Sequence, residues 1–267
     1  MDKKITTAVL KEMKKTGKKI TMLTAYDYPI SFMTEKAGID VVLIGDSLGM
    51  VVQGQDTTLS VTVEDIVYHT KSVVRGNKKS LIVADMPFLS YKISNEEAVR
   101  NAGRMIQEGG ASAVKVEGGA EISDTISSII KADIPVMGHL GLTPQAIHQF
   151  GSYKTRGVDK KEAQKIISDA KALEKLGVFA IVLEKIPLEL AKKITEGISV
   201  PTIGIGAGPF CDGQVLVTYD MLGLFSKFLP KFVKKYTDLD KEITNAFLAF
   251  RDEVKSGKFP DKDKHSF

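Results

Sequence analysis

Short runs rich in Val, Ile and Leu recur along this chain, and five of them lead into a charged or titratable residue: Asp46 after VVLIG, Asp85 after LIVA, Lys115 and Glu117 within AVKVEGG, His139 after PVMG, and Glu184 after AIVL. Runs of this length and composition read as strands buried on both faces. Charges at their C-terminal ends must then leave from one common rim of a parallel sheet or barrel. Eight segments carry the strand signal: 20–25, 41–45, 81–84, 113–116, 135–138, 179–183, 202–205 and 215–217. Helical spacing occupies the stretches between them, at 28–37, 63–75, 95–107, 122–131, 160–176 and 187–196. That alternation predicts an α/β fold, a (β/α)8 TIM barrel, whose active site lies at the C-terminal strand ends.

Two further helices, 6–15 and 240–255, are expected to pack outside the ring as an N-terminal addition and a C-terminal helical extension. The boundary after the last strand is obscure, because 219–235 mixes Gly223, Pro230 and several aromatics. The expectation is one domain over residues 1–267, with a polar tail at 257–267 that frays.

With 267 residues, 43% hydrophobic and 26% charged, the chain can build one large core. A net charge of +4, with acids interleaved among the lysines of 234–242, argues against a nucleic-acid partner. The single cysteine, Cys211, excludes an internal disulfide framework and fits a reducing compartment. Neither an apolar leader core nor a stretch of membrane-spanning length is present in the sequence. A soluble, cytoplasmic protein is the expectation.

Asp46, Asp85 and Glu117 offer hard oxygen ligands from three successive strand ends, a set that suits Mg2+ better than zinc. A 2-oxo acid could chelate such a cation through its carboxylate and keto oxygens, which acidifies the adjacent C–H. Lys115 is then placed to stabilise enolate charge, Glu184 to take the proton as general base, and Ser47 to donate to the substrate carboxylate. Plainer readings stand beside these. A strand-end aspartate such as Asp46 or Asp85 also serves as a helix N-cap. Lys115 and Glu117, two apart on one strand, could form a surface ion pair, and His139 could bond to backbone or touch substrate. The string Ile203–Gly208 lacks the dinucleotide spacing; it suits either a ligand approaching the backbone or a tight turn.

The segments IGDSLGM, VADMPF, VKVEGG, GHLGLTPQ, the Leu-Glu-x-x-Pro of 183–187, and IGIGAG followed by CDGQVLV closely resemble the ketopantoate (3-methyl-2-oxobutanoate) hydroxymethyltransferase family, in its order, over residues 18–229. The resemblance implies a (β/α)8 barrel that uses Mg2+ to transfer a one-carbon unit from 5,10-methylenetetrahydrofolate to 3-methyl-2-oxobutanoate. The product is 2-dehydropantoate, in the first committed step of pantothenate biosynthesis. It also implies that Asp46, Asp85 and Glu117 form the metal site, with Glu117 able to act through water. Substrate would lie against Asp46, Ser47, Asp85, Lys115 and His139, with Glu184 as proton acceptor. By the same resemblance 151–157 is a mobile loop, and the chain forms a homo-oligomer, commonly a decamer. Two positions depart from the pattern: Lys185, usually small or apolar, and Arg156, usually neutral. On a regular strand Lys185 would point away from Glu184.

Two other functions fit a barrel of this kind. A carbon–carbon lyase of the isocitrate lyase and phosphoenolpyruvate mutase type would use a similar metal-bound oxo acid, but its Lys-Lys-Cys-Gly-His motif is absent here. A non-catalytic scaffold that binds oxo acids would show no turnover.

Overall fold

The apolar runs become strands because most of them bury both faces, with Thr21 and Gln214 the exposed exceptions in the first and last strands. In the computed structural model, which describes residues 4–224 and 230–267, they are β1 (Ile20–Thr24), β2 (Val41–Ile44), β3 (Leu81–Asp85), β4 (Ala113–Glu117), β5 (Val136–Gly141), β6 (Ala180–Glu184), β7 (Thr202–Ile205) and β8 (Gly213–Leu216). All pair in parallel with their sequence neighbours, and β8 pairs with β1, closing an eight-stranded barrel. Helices at Tyr28–Lys36, Val63–Gly76, Asn95–Gln107, Ser123–Lys131, Lys160–Leu176 and Leu188–Gly197 supply the crossovers. The predicted (β/α)8 barrel is therefore present.

Alternation along the strands divides their side chains between two cores. Ile20, Met22, Val41, Leu43, Leu81, Val83, Ala113, Met137, Val182, Ile203 and Val215 belong to one buried cluster. These are alternate residues of their strands, as expected for the face that lines a barrel interior. The same parity, carried further toward the C-terminal ends, reaches Asp85, Lys115, Glu117, His139 and Glu184.

The helix expected at 6–15 forms as Thr7–Lys15, capped by the Thr6 side chain. Its place differs from the expectation. Leu10, fully buried, joins the interior cluster, and the Lys14 ammonium donates to the carbonyls of Thr195 and Val200 and to the Asp212 carboxylate, at 2.9–3.0 Å. These groups stand near the N-terminal ends of β7 and β8, so the helix closes the barrel floor instead of joining the outer ring.

Residues Met1–Leu216 make one compact unit and Val217–Phe267 a second. The second contains helices Thr218–Met221 and Leu239–Lys255, tied together by backbone bonds from Tyr236 to Met221 and from Leu239 to Leu222 at 2.7 and 3.0 Å. The Phe250 ring meets Phe259 edge-on. Part of the obscure 219–235 stretch, and the end of the resemblance at Leu229, lie outside the described residues.

Candidate active site

Register explains which rim side chains meet. Asp85 of β3 is paired with Lys115 of β4, and Glu117 with His139 of β5. Farther along, Gly141 pairs with Glu184 of β6. The Lys115 ammonium sits 2.6 Å from Asp85 Oδ1 and 3.4 Å from His139 Nδ1. His139 lies between two carboxylates, with Nδ1 3.4 Å from Glu117 Oε1 and Nε2 3.3 Å from Glu184 Oε2. The Nε2 approach is an electrostatic contact and not a formed hydrogen bond. Asp46 stands just beyond β2; its N–H donates to Asp85 Oδ2 at 3.0 Å. Ser47 Oγ is 2.8 Å from the Tyr26 hydroxyl.

These contacts decide among the plainer readings. Neither aspartate carboxylate caps a helix, since Asp46 Oδ2 accepts from Gln145 and Asp85 is taken by Lys115 and the Asp46 amide. Lys115 and Glu117 are both buried, so a surface ion pair is excluded. The His139 ring meets side chains, not backbone. At Ile203–Gly208, positive φ at Gly206 and Gly208 fits the tight-turn reading.

Gln145 and Tyr91, which no charge or period marks in the sequence, bind this cluster together. The Gln145 side-chain amide donates to Asp46 Oδ2 at 2.9 Å and to the Met86 carbonyl at 3.0 Å, and its backbone N–H donates to Glu117 Oε2 at 3.0 Å. Gln145 Oε1 accepts from the Tyr91 hydroxyl at 2.8 Å. That hydroxyl oxygen lies 3.0 Å from both the amide nitrogen and the carbonyl oxygen of Glu117. A polar residue beside Pro144, directly after a strand, was the available signal.

Close packing also dictates one glycine. Gly141 has φ +95°, and a Cβ there would lie 2.2 Å from the Glu184 carbonyl oxygen. That oxygen accepts from the Leu142 amide at 2.8 Å. The crossing of β5 over the end of β6 thus leaves no space for a side chain.

Burial of so many charges shifts their titration. Asp46 is raised well above the usual carboxylate range by burial and by the charges of Asp85 and Glu117. Asp85 is also raised, mainly by burial, which outweighs Lys115. For Glu117 burial acts upward, yet bonds and charge from His139 and Lys115 bring it below its ordinary value. Burial and Lys115 push His139 down, but the carboxylates of Glu117 and Glu184 prevail and lift it to about 9. Burial acts downward on Lys115, but the charges of Asp85, Glu117 and Asp46 hold it above the ordinary lysine range.

Four carboxylates (Asp46, Asp85, Glu117, Glu184) thus face two cations, Lys115 and His139. A divalent cation would offset the excess. Among the described residues no three His, Cys, Asp or Glu side chains already form a ligand cage; Glu117 has both oxygens engaged by the Gln145 amide and His139, and Asp85 has both engaged by Lys115 and the Asp46 amide. The donors fit a cation held by Asp46 and Asp85, with Glu117 behind them and positions open to a chelating ligand.

Near this cluster, Lys185 corrects its expected geometry. It does not continue a regular strand: its φ is +47°, and its ammonium donates to the Tyr153 carbonyl. Arg156 pairs with Glu162 and lies 4.0 Å over the Phe150 ring.

A model of the ketopantoate hydroxymethyltransferase family matches residues 4–262. The 3-methyl-2-oxobutanoate hydroxymethyltransferase of Syntrophomonas wolfei is 57% identical over 264 residues, covering 99% of this chain and 95% of that one. The enzyme of the same name from Thermoanaerobacter sp. strain X514 is 56% identical, covering 100% and 97%. A phosphoenolpyruvate phosphomutase from Streptomyces platensis superposes with a TM-score of 0.64 over 94% of this chain and 88% of that one. At 13% identity that likeness speaks to the barrel alone. The chain belongs to the ketopantoate hydroxymethyltransferase family.

Proposed function

We infer that this protein is a hydroxymethyltransferase that converts 3-methyl-2-oxobutanoate to 2-dehydropantoate, the committed step toward pantothenate. Identity of 56–57% with 3-methyl-2-oxobutanoate hydroxymethyltransferases, along nearly the whole chain, carries the reading. The proposed one-carbon donor is 5,10-methylenetetrahydrofolate and the proposed cation is Mg2+, held by Asp46 and Asp85 with Glu117 in support. When bound, Mg2+ supplies Lewis acidity toward the oxo acid.

The chain's own groups do the rest. Glu184, the side chain at the end of β6, takes the C3 proton, and His139 beside it fixes the direction of the carboxylate. Lys115, buried and cationic, stabilises charge developing on the keto oxygen. Ser47, oriented by Tyr26, donates to the substrate carboxylate. C3 then bonds to the methylene carbon of the donor; both C–N bonds of that carbon to the folate break, water supplies the new hydroxyl, and tetrahydrofolate leaves. Among the described residues no helix is long and apolar enough to cross a membrane. We further propose that the enzyme works in the cytoplasm as a homo-oligomer, commonly a decamer among its relatives by resemblance.

Proton NMR of the oxo acid in D2O tests this reading. C3 exchange in the parent should need Mg2+ and fall by about 10²–10⁴-fold in Glu184→Ala. Product should form only when the folate donor is added. A parent that gives neither exchange nor product is not this enzyme.

A further inference from the structure

The loop 151–157 follows the short helix Ile147–Phe150 and leads toward the helix Lys160–Leu176. Its far end is anchored by Glu162, which accepts from the Gly157 amide at 2.7 Å and pairs with Arg156. Its middle is held differently. Among the described residues, the one hydrogen bond to 152–155 comes from the Lys185 ammonium to the Tyr153 carbonyl. The Lys185 carbonyl also accepts from the Arg156 amide at 2.9 Å, while its own amide donates to Ile205 of β7 at 2.8 Å. One residue thus bonds the loop with side chain and backbone and is itself fixed to the barrel.

Lys185 does this from a left-handed conformation, φ +47°, that a lysine adopts at a cost in strain. It also directly follows Glu184. We propose that Lys185 is a positioning residue, a latch that holds the 151–157 loop against the strand end carrying the base, so that loop closure and the setting of Glu184 are one event. The Tyr153 phenol, raised by burial and then by the charge of Glu184, supports the loop's nearness to that carboxylate. The catalytic half of this inference rests on Glu184 acting as the base. The latch itself does not.

Hydrogen exchange with mass spectrometry, on substrate-free protein, separates the two. Loss of one charge-assisted bond should speed exchange of the Arg156 amide, the loop amide bonded to Lys185, by about tenfold in Lys185→Met, with the Glu162-held Gly157 amide and the barrel strands unchanged. Lys185→Gly, which relieves the backbone strain, should show the same local effect, and Lys185→Arg should restore protection. With loop closure impaired, kcat should fall in the Met and Gly variants at nearly constant KM for the oxo acid. Unchanged exchange in both variants, or loosening spread evenly over the barrel, overturns the latch. A protected loop in a parent lacking C3 exchange would leave the latch standing and remove the base assignment.

Discussion

Gln145 bonds to groups from three places at once: the loop after β2, the backbone after β3, and the end of β4. It also takes the Tyr91 hydroxyl. Removing its amide by Gln145→Ala strands buried polar atoms, each worth about 1–3 kcal/mol when left unpaired. The urea midpoint should fall accordingly while the slope stays constant. A variant within about 0.5 kcal/mol of the parent, the usual range for an inert surface change, would mean that this network contributes nothing. Such residues are hard to see in a sequence. Asp46, Asp85, Lys115, Glu117, His139 and Glu184 are legible because a charge at the end of an apolar run violates its surroundings. Gln145 and Tyr91 violate nothing, since an amide and a phenol are ordinary neighbours of a loop. Their partners come from distant segments that only the closed barrel assembles.

Among the elements, helices with strong start signals are read closely. The helix Val63–Gly76 begins at a capping box, in which the Thr62 hydroxyl accepts from the Asp65 amide at 3.1 Å and the Asp65 carboxylate accepts from the Thr62 amide at 2.9 Å. Burial acts upward on Asp65, but the Thr62 bonds win and lower its pKa. A carboxylate lowered by folding adds stability above its unfolded pKa, and that stability is lost as pH falls through the folded value. Thr62→Ala should therefore cost about 1 kcal/mol near neutrality. In acid-range thermal melts the gap from the parent should shrink once Asp65 is protonated; a gap that stays constant would show that the carboxylate takes no part. Strand ends are read less well. Read by hydrophobicity, β3, β5 and β6 stop just before Asp85, His139 and Glu184, and β4 passes Lys115 but stops before Glu117, whereas the ladders run on to Asp85, Glu117, Gly141 and Glu184. A hydrophobic criterion ends at a charge; backbone pairing does not, because these charges find partners inside. The single-turn helices Leu48–Val51 and Ile147–Phe150 were equally invisible, being too short to carry a period. Nor does a lysine announce positive φ, as glycine would, so nothing in the sequence marks the departure from a regular strand at Lys185.

For the molecule as a whole, the repeating strand and helix pattern made the barrel legible, and the floor helix was misplaced because one buried leucine leaves little mark on a sequence. The proposed Mg2+ site would make the folded state a better cation binder than the unfolded one. Mg2+ at about a hundred times Kd should raise stability by about 2.7 kcal/mol. Scanning calorimetry with Mg2+ and with chelator measures this, and Asp46→Asn should abolish the difference. Identical parent scans would refute the cation site.

The pairing of β1 with β8 has a consequence for how the enzyme comes into being. Strands that bear the candidate site, β2 through β6, all leave the ribosome before the seam residues of Gly213–Leu216 that join Ile20 to the ring. Synthesis delivers about 5–20 residues per second. For several seconds a nascent chain therefore carries every proposed reacting group while it lacks the strand that closes the ring. Competence arrives late and all at once, when the last strand finds the first.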